Sequence, residues 1–249
     1  GICSSVWFVE RCLEPKSIDE PIDDRRRRGT IAHSILARIY KEVPGTLSTT
    51  AIGPAEADAA AAEAVRIVDE EIGRIDPVAP GDRLRIDLMR WGLRRDIARL
   101  VRRLALSGAP LVPTEFEVAF GGRNAQAGRK DGLDIGGVRV SGKIDRIDTD
   151  PMMTARAIVV DYKTTEVSSA AQMAERGEVQ VPLYLLALRE VLGREPVAGL
   201  LVSVRRGQAR GLADADASDV LPPTLMRGDV LGHDAFEAAL ETARGVALE

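Results

Sequence analysis

Along the first hundred residues apolar side chains recur every three or four positions, the spacing of helices with one buried face; beyond residue 110 they alternate, the spacing of strands. Residues 4–13 predict a short helix with Trp7 and Phe8 as its buried side chains. Residues 14–28 are polar, carry two prolines and an arginine run, and predict a loop. Gly29-Thr30 then opens a helix to about Val43, with Ile31, Ile35 and Ile39 on one stripe at i, i+4 and i+8. His33 lies off that stripe, on the side of Ala37 and Tyr40. After a turn-rich break over 44–54, alanines and acids predict a helix over 55–72, ending near Gly73. Pro77 and Pro80 break the chain again. Residues 82–106 predict a long helix with an arginine-rich face, stopped by Ser107-Gly108. The expected helical lobe, about 44–108, is thus inserted between the His33 helix and a sheet core at 111–204.

The first strand is expected over 111–120, where Phe116, Val118 and Phe120 alternate with Glu115, Glu117 and Ala119. A glycine-rich polar connection at 121–134 leads to a second strand at 138–145. There Val138, Val140, Gly142 and Ile144 alternate with Arg139, Ser141, Lys143 and Asp145. After a turn at 149–154 comes a third strand, 157–165, Ala-Ile-Val-Val-Asp-Tyr-Lys-Thr-Thr. Residues 166–178 are polar and expected to be partly helical and mobile. A helix follows at 181–192, with Pro182 in its first turn, and then an apolar fourth strand at 199–204. From Arg205 the chain turns polar, a tail (205–249) closed by a helix from about Asp234. Short connections make the first three strands an antiparallel meander; the fourth, reached by a helical crossover, pairs in parallel. The expected fold is α/β: a mixed sheet flanked by helices with the lobe appended, in one domain over 1–249.

With 249 residues and 45% hydrophobic content the chain can bury a real core. That core is mostly Ala, Val, Leu and Ile, since aromatics are only 4%. No apolar run approaches the roughly 20 residues of a membrane span. The N-terminus lacks the basic-then-apolar order of a signal peptide and reads as cut from a longer polypeptide. Cys3 and Cys12 are too few for a disulfide framework, so a reducing, cytoplasmic setting is expected. A net charge of −4 argues against a general nucleic-acid coat. The arginines nevertheless cluster, at 25–28 and at Arg90, Arg94, Arg95, Arg99, Arg102 and Arg103. Such clusters suit a local phosphate-binding channel, and equally a solvated helix face.

In the third strand Val159, Asp161 and Lys163 share one face, and Ile158, Val160 and Tyr162 the other. The roots of Asp161 and Lys163 then stand roughly 7 Å apart. Asp145 ends the second strand, so pairing of the two strands lets both carboxylates reach one ion. Two carboxylates with the His33 imidazole suit Mg²⁺ or Mn²⁺ better than Zn²⁺. The plainer alternatives are a solvated strand end and a structural histidine.

Five motifs in order carry a resemblance: Arg28-Gly-Thr-Ile-Ala-His33, Phe116-Glu-Val-Ala-Phe-Gly121, Gly142-Lys-Ile-Asp145-Arg-Ile-Asp148, Asp161-Tyr-Lys163-Thr, and Gln180-Val-Pro-Leu-Tyr184. Together they resemble the RecB-like branch of the PD-(D/E)xK nuclease superfamily. The resemblance implies a restriction-endonuclease-like fold and a nuclease that leaves a 5′-phosphate. It implies His33, Asp145 and Asp161 as ligands of Mg²⁺ or Mn²⁺, helped by the backbone carbonyl of Tyr162. Lys163 would position or activate the attacking water, and Glu117 would be an accessory acid, with Glu115 as its rival. Gln180, Tyr184 and Arg146 would line the DNA path. Asp148 is expected in a turn, and His233 has no role. Some members of the branch hold an iron–sulfur cluster. Cys3 falls where the upstream ligand would be, but no cysteine follows Cys12, so no cluster is expected in this chain unless further C-terminal sequence supplies the other ligands. The implied setting is a helicase–nuclease acting on single-stranded DNA in double-strand break repair and recombination. Two other readings stay open: a nuclease-like scaffold that guides DNA without turnover, and a small-molecule metallohydrolase, which lacks a second metal-binding cluster.

Overall fold

A computed structural model describes residues 25–248. The helix expected at 4–13, with Trp7 and Phe8, and both cysteines lie outside the described residues.

The first described helix, α1 (Arg25–Thr46), already contains the arginine run assigned above to a loop. Arginine is a strong helix former and nothing from 25 to 28 breaks a helix, so the polar character of the run misled. Ile35, Leu36, Ile39 and Val43 of α1 are fully buried. They pack on a hairpin of two helices, α2 (Ala57–Gly73) and α3 (Asp82–Leu106). Buried alanines at 57, 60 and 64 let α2 come close, and Ile67, Val68 and Ile72 meet Met89, Leu93 and Ile97 of α3. The buried Asp82 carboxylate accepts the Val78 and Ala79 N–H groups at 3.0 and 2.7 Å and so ties the preceding turn to the first residue of α3. Much of the arginine-rich face of α3 is spent on ion pairs: Arg90 meets Asp87, Arg94 meets Asp69 and Arg102 meets Asp58.

The strands are β1 (Val112–Phe120), β2 (Leu133–Ile135), β3 (Val138–Val140), β4 (Gly142–Thr149), β5 (Arg156–Lys163), β6 (Glu195–Ser203), β7 (Ala209–Asp214) and β8 (Val230–Leu231). A six-stranded mixed sheet runs in the order β1-β4-β5-β6-β7-β8. As expected, β1, β4 and β5 form an antiparallel meander and β6 joins β5 in parallel. The crossover contains α4 (Ala170–Arg176) and α5 (Gln180–Glu190); α6 (His233–Val246) closes the chain. Ile158, Val160 and Tyr162 of β5 face the core under α1, α2 and α3, while Ala157 and Val159 face the core under α5 and α6. Covered on both faces, β5 reads as an unbroken apolar run. The polar stretch before α5 is anchored by the α4 N-terminus: Ser169 and Gln172 form a capping box, and Asp229 accepts the Ala170 N–H at 3.0 Å.

Two further expectations are corrected. The strand at 138–145 is two strands, because Val138 and Val140 are used in a local ribbon with β2. Its turn is Gly136-Gly137, both left-handed, the chemistry of a tight hairpin. The polar tail supplies β7 and β8. Arg210, Gly211 and Asp214 interrupt the apolar pattern of β7. Gly211 is required there, since a Cβ would lie 2.1 Å from the carbonyl oxygen of Gly199 on β6. No described helix is long and apolar enough to cross a membrane.

Candidate active site

The β4–β5 ladder stops at the Arg146–Val160 pair. One residue further, the strands are joined by a side chain: the Asp145 carboxylate accepts the Tyr162 N–H at 2.8 Å. Asp145 and Asp161 are both buried, with 6% and 4% exposure. Helix α1 lies across this point and places the His33 Nδ1 3.2 Å from Asp145 Oδ1. Burial pulls the His33 pKa down, but the Asp145 carboxylate, the charge of Asp161 and the Tyr162 backbone together hold it above its ordinary value.

On the other side Asp161, Lys163 and Gln180 form a closed ring. Gln180 Nε2 donates to Asp161 Oδ1 at 2.9 Å, and Lys163 Nζ donates to Gln180 Oε1 at 2.8 Å. The ammonium lies 2.7 Å from Asp161 Oδ2. That approach is off the hydrogen-bonding direction, so Asp161 Oδ2 is a buried oxygen without a hydrogen bond. Burial raises the Asp161 pKa, Lys163 opposes this and Asp145 adds to it. Tyr184, one turn beyond Gln180, accepts from Gln180 Nε2 at 3.1 Å. Two buried carboxylates, a neighbouring imidazole and an unsatisfied carboxylate oxygen offer the hard ligands a divalent cation takes, although the ligand atoms of His33, Asp145 and Asp161 do not all lie within 4.8 Å of one another.

Glu117 lies on β1 level with Asp145 of β4. It is a non-glycine residue in the left-handed region, at φ 56°, between the Phe116–Arg146 and Val118–Ile144 pairs. The kink turns Phe116 toward Tyr40 and Val118 into the opposite core. Its carboxylate pairs with Lys143 at the edge of a groove of about 560 Å³ that also holds Lys41 and Arg129. Glu115 instead holds Arg194 and Arg129, at 3.1 and 3.3 Å.

Arg146 is not on an open DNA path. It is buried, its guanidinium lies 4.6 Å from the Tyr40 ring centroid, and it donates to the Tyr162 hydroxyl at 2.7 Å and to Asp148 at 2.8 Å. Adjacent strand residues face opposite ways, so a site at Asp145 puts Arg146 in the core beneath it. Asp148 correspondingly lies within β4, not in a turn. Reading by spacing also misses the grip of Gln180 on both Asp161 and Lys163; nothing in the sequence aligns α5 with the end of β5.

Among the described residues Asp214, Asp216 and His233 form a separate carboxylate–imidazole group, with ligand atoms within 4.8 Å of one another. Ala213 pairs with Ala198 near the start of β6, whereas Lys163 pairs with Ser203 at its end, so this group sits at the opposite end of the sheet. Asp214 accepts the Asp216 N–H at 3.0 Å and meets His233 Nδ1 at 2.7 Å, the contacts of a cap. The hydrogen bond to Asp214 raises the His233 pKa. A raised folded-state value stabilises below the unfolded-state pKa and is lost as pH rises through the folded one. His233→Gln is therefore expected to lower the melting temperature at acidic pH and leave it unchanged at alkaline pH. A difference independent of pH would refute the ion pair.

A mixed sheet between helical layers, with two carboxylates and a lysine at one end of adjacent central strands, defines a restriction-endonuclease-like nuclease fold. The family model for the PD-(D/E)XK nuclease superfamily matches residues 2–249, and the chain belongs to that superfamily. No curated protein matches the chain.

Proposed function

We propose that this chain is a RecB-like nuclease domain that hydrolyses phosphodiester bonds of single-stranded DNA with Mg²⁺ or Mn²⁺. Its setting in this reading is a helicase–nuclease of double-strand break repair and recombination. The observation that carries the chemistry is the Asp161–Lys163–Gln180 ring beside Asp145 and His33. His33, Asp145, Asp161 and the Tyr162 carbonyl would hold the cation. When bound, it supplies charge neutralisation at the phosphate and a lowered pKa for the attacking water. Gln180 fixes the rotamer of Asp161 and accepts a hydrogen bond from Lys163. Lys163 has three donors and gives one to Gln180, its contact with Asp161 being an ion pair, which leaves donor capacity for a water or a phosphate oxygen. Tyr184 and Gln180 form the exposed lip over which a strand would pass.

Labelled single-stranded and duplex DNA incubated with the chain in Mg²⁺, Mn²⁺ or EDTA tests this reading. Cutting of the single strand with either metal and its arrest by EDTA are expected; equal cutting with and without EDTA would sink the metal mechanism. His33→Ala is expected to weaken Mn²⁺ binding at least about tenfold, since even partners that only orient ligands contribute that much. Its melting temperature should stay near that of the wild type, because His33 keeps 26% side-chain exposure. Unchanged Mn²⁺ affinity by calorimetry with collapsed stability would make His33 a core residue instead.

A further inference from the structure

A second groove, of about 630 Å³, opens at the C-terminal end of β5 and is lined by Thr164 and Thr165, which follow Lys163 directly in the chain. Its other wall is α3, where Trp91 is 65% exposed, an unusual state for the largest apolar side chain. The Arg95 guanidinium lies 5.0 Å from the Trp91 ring centroid and supports one side of the indole. Asp96, 3% exposed, holds that guanidinium at 2.8 Å and reaches Arg28 of α1 at 3.6 Å. A buried acid thus orients two cations. The Arg28 guanidinium packs against α3 at Gly92, its Nη2 only 2.8 Å from where a Cβ on that glycine would be. Arg205 and Arg206, exposed on the β6–β7 turn, complete the rim, with Arg206 paired to the exposed Glu166 at 2.8 Å, a surface pair that a phosphate can replace. Four arginines face two carboxylates, Asp96 and Glu166, so the groove is net positive in a chain whose total is −4. Arg28 and His33 are five residues apart on one helix, about 7.5 Å along its axis, so α1 joins the groove to the site.

We propose that this groove is a lane for single-stranded DNA, in which one unpaired base stacks on Trp91 and Arg28, Arg205 and Arg206 take the flanking phosphates. The proposal rests on the nuclease reading for its direction toward Lys163. An exposed indole backed by arginine beside a positive groove is the chemistry of strand binding without base readout, since every base offers a π-face. Duplex DNA cannot use it, because its bases are already stacked.

Fluorescence anisotropy of labelled oligodeoxythymidylate titrated with the full chain in EDTA measures the lane while nothing is cut. Trp91→Ala is expected to weaken binding about tenfold, the loss of one stacked base, and Trp91→Phe to restore most of it. Arg205→Ala/Arg206→Ala is expected to flatten the log–log salt dependence by about 0.7 for each phosphate no longer neutralised. Blunt duplex binding should not respond to Trp91→Ala. Trp91 is exposed, so the variants should melt with the wild type. Unchanged oligonucleotide affinity in Trp91→Ala, or equal weakening toward duplex, overturns the lane and leaves the nuclease reading standing. Failure of the wild type to hydrolyse any DNA with metal overturns the nuclease reading, while the anisotropy still decides the lane.

Discussion

Lys163→Ala is expected to lower turnover by about 10²–10³-fold, the usual loss when a preorganised charge-stabilising donor is removed. DNA and Mn²⁺ binding should be retained. The ammonium carries a proton and has no lone pair for a metal, so it is no ligand. It shares a strand face with Asp161, is held by Asp161 and Gln180, and keeps 30% side-chain exposure toward the site. Removing it takes a positive charge away from two buried carboxylates, which leaves their attraction for a cation intact. Asp161→Ala should behave differently and lose Mn²⁺ affinity and turnover together. Single-turnover cleavage at saturating metal, with calorimetric Mn²⁺ titration, separates the two. A Lys163→Ala protein that cuts at the wild-type rate would remove lysine from the mechanism. A wild type with no turnover would favour the guiding scaffold, in which neither substitution changes any rate.

The parts of the molecule that follow from local periodicity could be read from the sequence. Helix α3 has an uninterrupted pattern between a proline-rich break and Ser107-Gly108, and its bounds fall where expected. The alternation in β5 put Asp161 and Lys163 on one face, and the structure joins them through Gln180. His33 fell off the isoleucine stripe of α1, and it meets Asp145. The parts that depend on packing were not legible. Strand β7 hides because a glycine and an arginine occupy positions that a strand pattern would fill with apolar residues, and Gly211 is there to let two backbones meet. Residues 138–145 alternate continuously, yet Gly136-Gly137 turns the first three into a hairpin strand before the sheet begins. Glu117 could be picked out by motif, but not its left-handed backbone or its pairing with Lys143. Arg94 and Arg102, basic by sequence, face acids on α2, whereas the smaller group at Arg28 and Arg95 lines the groove.

Arg146 gives the largest expected effect on stability. Arg146→Met is expected to destabilise the fold by about 3–5 kcal/mol, the loss typical of breaking a buried ion pair from one side. Its side chain and that of Asp148 are 7% and 11% exposed, with Nε 2.7 Å from Asp148 Oδ1. Burial already raises the Asp148 pKa, and Arg146 is the counterweight. Without it Asp148 must protonate to stay buried, so its folded-state pKa rises further. An acid with a raised folded pKa costs stability above its unfolded value, near 3.9, and the cost grows until the folded value is reached. The Arg146→Met deficit should therefore shrink toward acidic pH. Arg146→Met/Asp148→Leu should recover much of the loss, since the buried charge goes with its partner. The Tyr162 hydroxyl is left without its Arg146 donor in both proteins. Tyr162 also carries the backbone N–H that holds Asp145, so Mn²⁺ affinity in the double variant reports how firmly the core fixes the site from beneath. Urea unfolding at several pH values measures the deficit. An Arg146→Met protein of wild-type stability with weakened DNA binding would return Arg146 to the DNA path.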